Sequence, residues 1–118
     1  MEDYSEMLGV NNRVQLAEAD SIMRRRINEE HMLNGVTIID PNNTYIQPLV
    51  ELGRDTIVYP GNVIEGKTIV GESCILYPGN RLRDSLIGDN VTMESSTVIE
   101  GQIKDNERVK PHSYVQGK

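Results

Sequence analysis

The side chains able to do chemistry in this 118-residue chain are few and scattered. Arg24, Arg25 and Arg26 form a run of cations, and a guanidinium offers a phosphate a charged, bidentate fork. The alternative is a solvated helix face, which is the preferred reading for a charge run at helical spacing. His31 falls near the end of the same segment, where a favourable contact with the helix dipole is enough to explain it. Cys74 is the one cysteine. It falls at a position that takes small residues throughout the chain, so it reads as a packing residue. Asn42-Asn43-Thr44 fits the N-glycosylation pattern, a match read as incidental in a cytoplasmic protein. Tyr59-Pro60-Gly61-Asn62 and Tyr77-Pro78-Gly79-Asn80 are near-identical and 18 residues apart. They predict a stacked aromatic pair, with a partner-contacting patch as the alternative.

Composition narrows the setting. The net charge is −6, which argues against bulk electrostatic binding to nucleic acid or to an anionic membrane. No stretch reaches the ~18 apolar residues of a membrane span, and the acidic MEDYSEM has none of the features of a signal peptide. A lone cysteine fits a reducing cytoplasm. The chain has five Tyr but no Trp or Phe. Compact cores draw on large aromatics, so this composition favours an architecture that stacks small aliphatics.

Four segments must position these residues. Residues 1–10 are a lead. Residues 11–34 predict one long helix, with Asn12 as N-cap, Gln15 completing a capping box, and Asn34-Gly35 as the C-terminal stop. Leu16, Ala19, Met23 and Ile27 mark its apolar face. At about 22 residues it would be ~33 Å long, more than a few short coils can cover, so part of it is expected to pack on another subunit. Residues 35–48 read as a connector, with a short strand at Val36–Ile39 and a turn at Asp40–Asn43.

Residues 49–118 carry repeats. Leu52, Val58, Ile64, Val70, Leu76 and Leu82 recur every six residues. After a slip of one the series continues through Ile87, Met93 and Ile99, and after a further slip, of two, through Ile103, Val109 and Val115. Four places after the aliphatics of the first two frames stand Thr56, Asn62, Thr68, Cys74, Asn80, Leu86 at the slip, Val91 and Thr97; apart from the slip, all are small or medium-sized. A period of six with small corners implies triangular coils whose aliphatics point inward and whose strands pair in parallel ~4.8 Å apart. The expectation is a mainly β chain, a parallel β-helix of about four coils preceded by one long α-helix. Corners near Leu82–Ile87 and Ile99–Ile103 should be irregular.

Leu8-Gly9-Val10-Asn11-Asn12-Arg13-Val14-Gln15-Leu16, Met23-Arg24-Arg25-Arg26-Ile27-Asn28 and Asn34-Gly35-Val36-Thr37-Ile38-Ile39-Asp40-Pro41 form a specific set of motifs. With them the chain, over roughly residues 7–115, resembles the middle of the bacterial bifunctional N-acetylglucosamine-1-phosphate uridyltransferase / glucosamine-1-phosphate N-acetyltransferase. The resemblance implies left-handed coils and a homotrimer. It also implies that Asn11 matches a Mg²⁺ ligand of that family, useful only if a partner domain supplies the remaining oxygens, since Mg²⁺ demands near-octahedral coordination. Otherwise Asn11 is a helix-entry residue. Gln116 stands where the family has a sugar-phosphate-binding Arg, and Gln lacks the charged fork. His112 replaces an apolar residue and is not at the catalytic His position.

The family's phosphate loop, catalytic His and acetyl-CoA-binding coils have no counterpart in these residues. The motif also decays before Lys118, which suggests a natural short reading frame. The expected function is a non-catalytic, trimeric assembly or regulatory module in amino-sugar nucleotide metabolism. The alternative is a part that binds sugar phosphate, nucleotide or acyl-CoA at subunit interfaces or beside a nucleotidyltransferase domain or subunit. Whether it is an enzyme stays open. No cofactor is expected in the chain alone; Mg²⁺ and acetyl-CoA are implied by the family only.

Overall fold

The structure, a computed structural model, describes residues 12–117. Helix α1 spans Arg13–Leu33. It starts at Asn12, whose side-chain oxygen accepts from the Gln15 backbone N–H at 2.8 Å, satisfying a donor that the first turn leaves free. It ends at Asn34, and Gly35 follows at φ 96°. Only a residue without Cβ takes that conformation cheaply, so the chain can reverse there into the coils. The expected face is the one that turns inward. Leu16, Ala19, Met23 and Ile27 are half-buried, and Ile27 and Met32 pack on the core. Val14 and Ile22 are 70% and 52% exposed.

After α1 the chain winds into a parallel β-solenoid with three flat faces. The first face pairs Thr37–Ile38, Ile57–Val58, Ile75–Leu76 and Thr92–Met93. The second pairs Tyr45–Ile46, Val63–Glu65, Arg81–Arg83, Thr97–Ile99 and Tyr114–Gln116. The third pairs Glu51–Leu52, Ile69–Val70, Leu86–Ile87 and Gln102–Ile103. Each side is only two or three residues long, because the chain must turn a corner before a strand can extend.

The solenoid makes about five turns. That is one more than the repeats counted from Leu52, because residues 35–48 are not a mere connector. Thr37–Ile38 and Tyr45–Ile46 lie within them and already pair with the next coil, and Val36, Ile38, Thr44 and Ile46 are buried. The hexapeptide pattern does not appear there because the Asp40–Asn43 turn lengthens that side.

One aliphatic per side points inward and meets its counterpart one coil away. Val58, Ile64, Leu76, Leu82 and Val98 have no exposed surface. Full burial of such a side chain contributes roughly 1.5–3 kcal/mol. Successive coils are offset by 18 residues at Thr56–Cys74 and Asn62–Asn80, by 17 at Thr68–Ser85, and by 16 at Asn80–Ser96 and Ser85–Gly101. The slips expected near Leu82–Ile87 and Ile99–Ile103 are these shortened coils. They correct three assignments. Val98, not Ile99, is the inward residue paired with Leu82 and Val115. Ser85, not Leu86, and Ser96, not Thr97, hold the small corner places. A strict step of six could not detect a side shortened by one.

The corners are polar and buried. Asn62 donates through Nδ2 to the Tyr59 and Leu76 carbonyls and accepts through Oδ1 from the Asn80 backbone N–H. Asn80 repeats this toward Tyr77, Met93 and the Ser96 N–H. Thr56, Cys74, Thr68, Ser85 and Ser96 make similar coil-to-coil bonds. The third-face corner is tighter still: a Cβ at Gly53 would run into the Gly71 carbonyl of the next coil. No helix among the described residues is long and apolar enough to cross a membrane.

Candidate functional site

The chain reverses at Gly35, so the last turns of α1 lie over the first coil. Asn28 fixes them there. It is the fully buried residue of α1, and its Nδ2 donates to the Pro41 and Thr44 carbonyls at 2.9 and 3.2 Å. Its Oδ1 is buried and has no hydrogen-bond partner among the described residues. Asn28 is missed by apolar periodicity, and its helical neighbours Ser21, Arg24 and His31 are polar, so nothing in the pattern marks it as buried.

Between α1 and the outer side of the second face lies a groove of about 380 Å³, lined by Asp20, Met23, Arg24, Tyr45, Pro48 and Glu65 among others. Arg24 closes one wall. Its guanidinium bonds Asp20 at 2.9 Å and sits 4.3 Å above the Tyr45 ring centre, a cation–π contact worth roughly 0.5–1 kcal/mol at such a site. Arg24 is therefore neither a free phosphate ligand nor part of a solvated face; Arg25 and Arg26 are the exposed members of the run. On the coil side Glu65 lines the groove, and Arg81 Nε bonds it at 2.9 Å. With both cations matched by carboxylates, the groove is close to neutral, with an apolar floor. A second depression of about 300 Å³ lies on the third face beside Ile69, Leu86, Gln102 and Lys104.

The other candidates are held apart. Asn11 lies outside the described residues. Cys74 has no exposed surface, and its Sγ donates to the Gly88 carbonyl. Burial pushes its thiol above the ordinary value, as suits a packing residue rather than a nucleophile. Partial burial lowers the His31 pKa, with Glu30 pulling the other way. His112 sits at φ 66° and its N–H donates to the Ser95 carbonyl. It fills the left-handed corner place that Gly61 and Gly79 fill in coils above, a conformation His tolerates better than most residues. Gln116 faces outward and accepts from the Tyr114 hydroxyl at 2.7 Å. Tyr59 and Tyr77 stack as expected, 5.1 Å between centres.

Among the described residues no three His, Cys, Asp or Glu side chains are placed to hold a metal ion. In the groove itself a pyrophosphate such as that of acetyl-CoA would find no unpaired cation, because Arg24 and Arg81 are each paired with a carboxylate.

No protein-family profile matches the chain. Among curated proteins it is similar to the bifunctional protein GlmU of Clostridium kluyveri, 56% identical over 113 residues, which is 96% of this chain and 25% of that protein. It is 50% identical over all its 118 residues to the bifunctional protein GlmU of Lactobacillus johnsonii, covering 26% of that protein. With that of Clostridium botulinum the identity is 49% over 97% of the chain. The chain thus spans about a quarter of the length of the relatives it matches. The resemblance read from its motifs holds: over nearly its whole length this chain is similar to one quarter of the bifunctional GlmU proteins.

Proposed function

We propose that this segment is a non-catalytic assembly module of amino-sugar nucleotide metabolism, acting in the cytoplasm as a homotrimer of left-handed coils. One observation carries the reading. The polar side chains of the corners are consumed by bonds between coils, while aliphatic side chains stand on the outer faces. Ile39 is 52% exposed, Ile69 41% and Leu86 50%. Polar groups of the corners thus serve the stack, and Ile39, Ile69 and Leu86 add apolar side chains to an otherwise mostly polar outer surface, the kind a second copy would bury. The hexapeptide pattern supports the left hand.

A second reading rests on the groove between α1 and the second face. Its apolar floor, with the Tyr45 ring in one wall, suits the sugar or base of a sugar phosphate or nucleotide, whose phosphate would be held by a neighbouring nucleotidyltransferase domain that completes a Mg²⁺ site with Asn11.

Two measurements separate these. Sedimentation equilibrium should give three times the 13.3 kDa chain mass; a monomer at working concentration removes the trimer. Calorimetric titration with acetyl-CoA, UDP-N-acetylglucosamine and glucosamine-1-phosphate should give no heat. Micromolar binding of any of them overturns the non-catalytic reading and favours the second.

A further inference from the structure

The joint between α1 and the coils is the dipeptide Asn34-Gly35. Asn34 is exposed, and among the described residues no side-chain hydrogen bond restrains its amide. Gly35 adds no side chain to shield its own nitrogen. The Arg54 side chain crosses over Gly35: a Cβ there would lie 3.4 Å from Arg54 Nε. We infer that Asn34 is a self-modification site, at which the Gly35 backbone nitrogen attacks the Asn34 side-chain carbonyl and deamidates it.

The chemistry closes with water alone. Gly35 N forms a bond to Asn34 Cγ, the Cγ–Nδ2 bond breaks, and ammonia leaves with the proton from the Gly35 N–H. Water then opens the cyclic imide. Cleavage at Cγ leaves an ordinary aspartyl residue in place of Asn34, and cleavage at the main-chain carbonyl leaves an isoaspartyl link with one extra carbon in the backbone. Arg54 favours the first step, because a cation stabilises both a deprotonated Gly35 nitrogen and the oxyanion that forms at Cγ.

The fold gates this reaction. Asn34 N–H is held by the Glu30 and His31 carbonyls, and Gly35 N–H by Met32 at 3.2 Å. Asn34 sits at ψ 14°, near helical, where the side chain does not reach its own C-terminal nitrogen. Attack needs the C-cap to unwind, an opening of the kind helix ends undergo below the free energy of global unfolding. The product then acts on the joint. The isoaspartyl carbon lengthens the path between α1 and the first coil, where Val36 N–H bonds His31 O and Asp55 N–H bonds Gly35 O at 3.1 and 2.9 Å. Either product adds negative charge at the negative end of the helix dipole.

The test incubates the full chain in warm, mildly alkaline buffer and maps peptides by mass spectrometry. Exchange of NH₂ for OH adds about 1 Da. The Asn34 peptide should gain it, split between aspartyl and isoaspartyl forms, well before the peptides of the exposed Asn42, Asn90 and Asn106. The rate should rise with pH and with denaturant. Asn34→Gln should abolish the shift, and Arg54→Ala should slow it several-fold in the folded chain but not in denaturant. An Asn34 peptide that stays intact, or converts no faster than those three, overturns the assignment. Equal rates for Arg54→Ala and the unaltered chain when folded overturn the role of Arg54.

Discussion

Replacing Asn62 by alanine tests whether the corners hold the coils together. Asn62 is fully buried and serves three partners in two coils. Its loss leaves the buried Asn80 N–H without an acceptor, at about 1–3 kcal/mol for an orphaned buried group. The Leu76 carbonyl keeps the Tyr59 N–H at 2.9 Å, and the Tyr59 carbonyl is partly open to water, so these two bonds forfeit only their net worth, about 0.5–1.5 kcal/mol each. The expected loss for Asn62→Ala is about 3 kcal/mol, read as a fall in the urea midpoint by circular dichroism with unchanged slope. Asn62→Asp separates shape from bonding. It keeps the acceptor for Asn80 but turns a carboxylate toward two carbonyls. Burial raises the folded pKa of such a group above its unfolded value of about 3.9. Its penalty is therefore absent below that value and grows as pH rises through the folded one. Relative to the unaltered chain, Asn62→Asp should regain stability on acidification. A loss below about 1 kcal/mol for Asn62→Ala, or an Asn62→Asp that tracks Asn62→Ala at every pH, would refute the corner ladder as a source of stability.

Asn28→Ala removes two donor bonds to Pro41 and Thr44, each worth about 0.5–1.5 kcal/mol. Hydrogen exchange should quicken in the last turns of α1 and stay unchanged in the coils, and uniform quickening would show that Asn28 does not act locally. His31 has its pKa lowered by partial burial, so the unfolded chain binds the proton more readily. Its stabilising effect is complete above the ordinary histidine pKa and is lost as pH falls through that value toward the folded one. Urea midpoints should decline on acidification from neutrality and His31→Gln should flatten the decline; an unaltered profile would exclude His31. Cys74, buried and with its thiol pushed up, should resist a disulfide reagent in native buffer and react fully in denaturant. Rapid native reaction would mean that the coil opens at that corner.

The chain declares its coils in its sequence because their rule is local. An inward aliphatic and a small corner recur every six residues, and Leu52 through Leu76 obey this without exception. The helix ends were equally legible, since Asn12 and Gly35 are read from cap chemistry that involves only their neighbours. Val98, Ser85 and Ser96 were hidden because a corner can drop a residue while the strands stay in register. The pairing partner one coil away, not the spacing along the chain, then decides which residue points in. The short strand at Thr37–Ile38 was legible, but that it and Tyr45–Ile46 form a first coil was hidden, since that depends on pairing with the next coil.

The groove depended on long-range contacts altogether. Asp20 and Arg24 are spaced to pair on a helix, but nothing in sequence puts Tyr45 under Arg24 or Glu65 beside Arg81. Those contacts exist because α1 reverses at Gly35 and lies across the second face. A helix, a stop and a stack of parallel coils are written into the chain itself, for each follows from interactions at short or fixed separation. Which charges are matched, which polar side chains are spent on the stack and which apolar ones face outward are settled only in the folded molecule. These depend on where elements far apart in sequence meet.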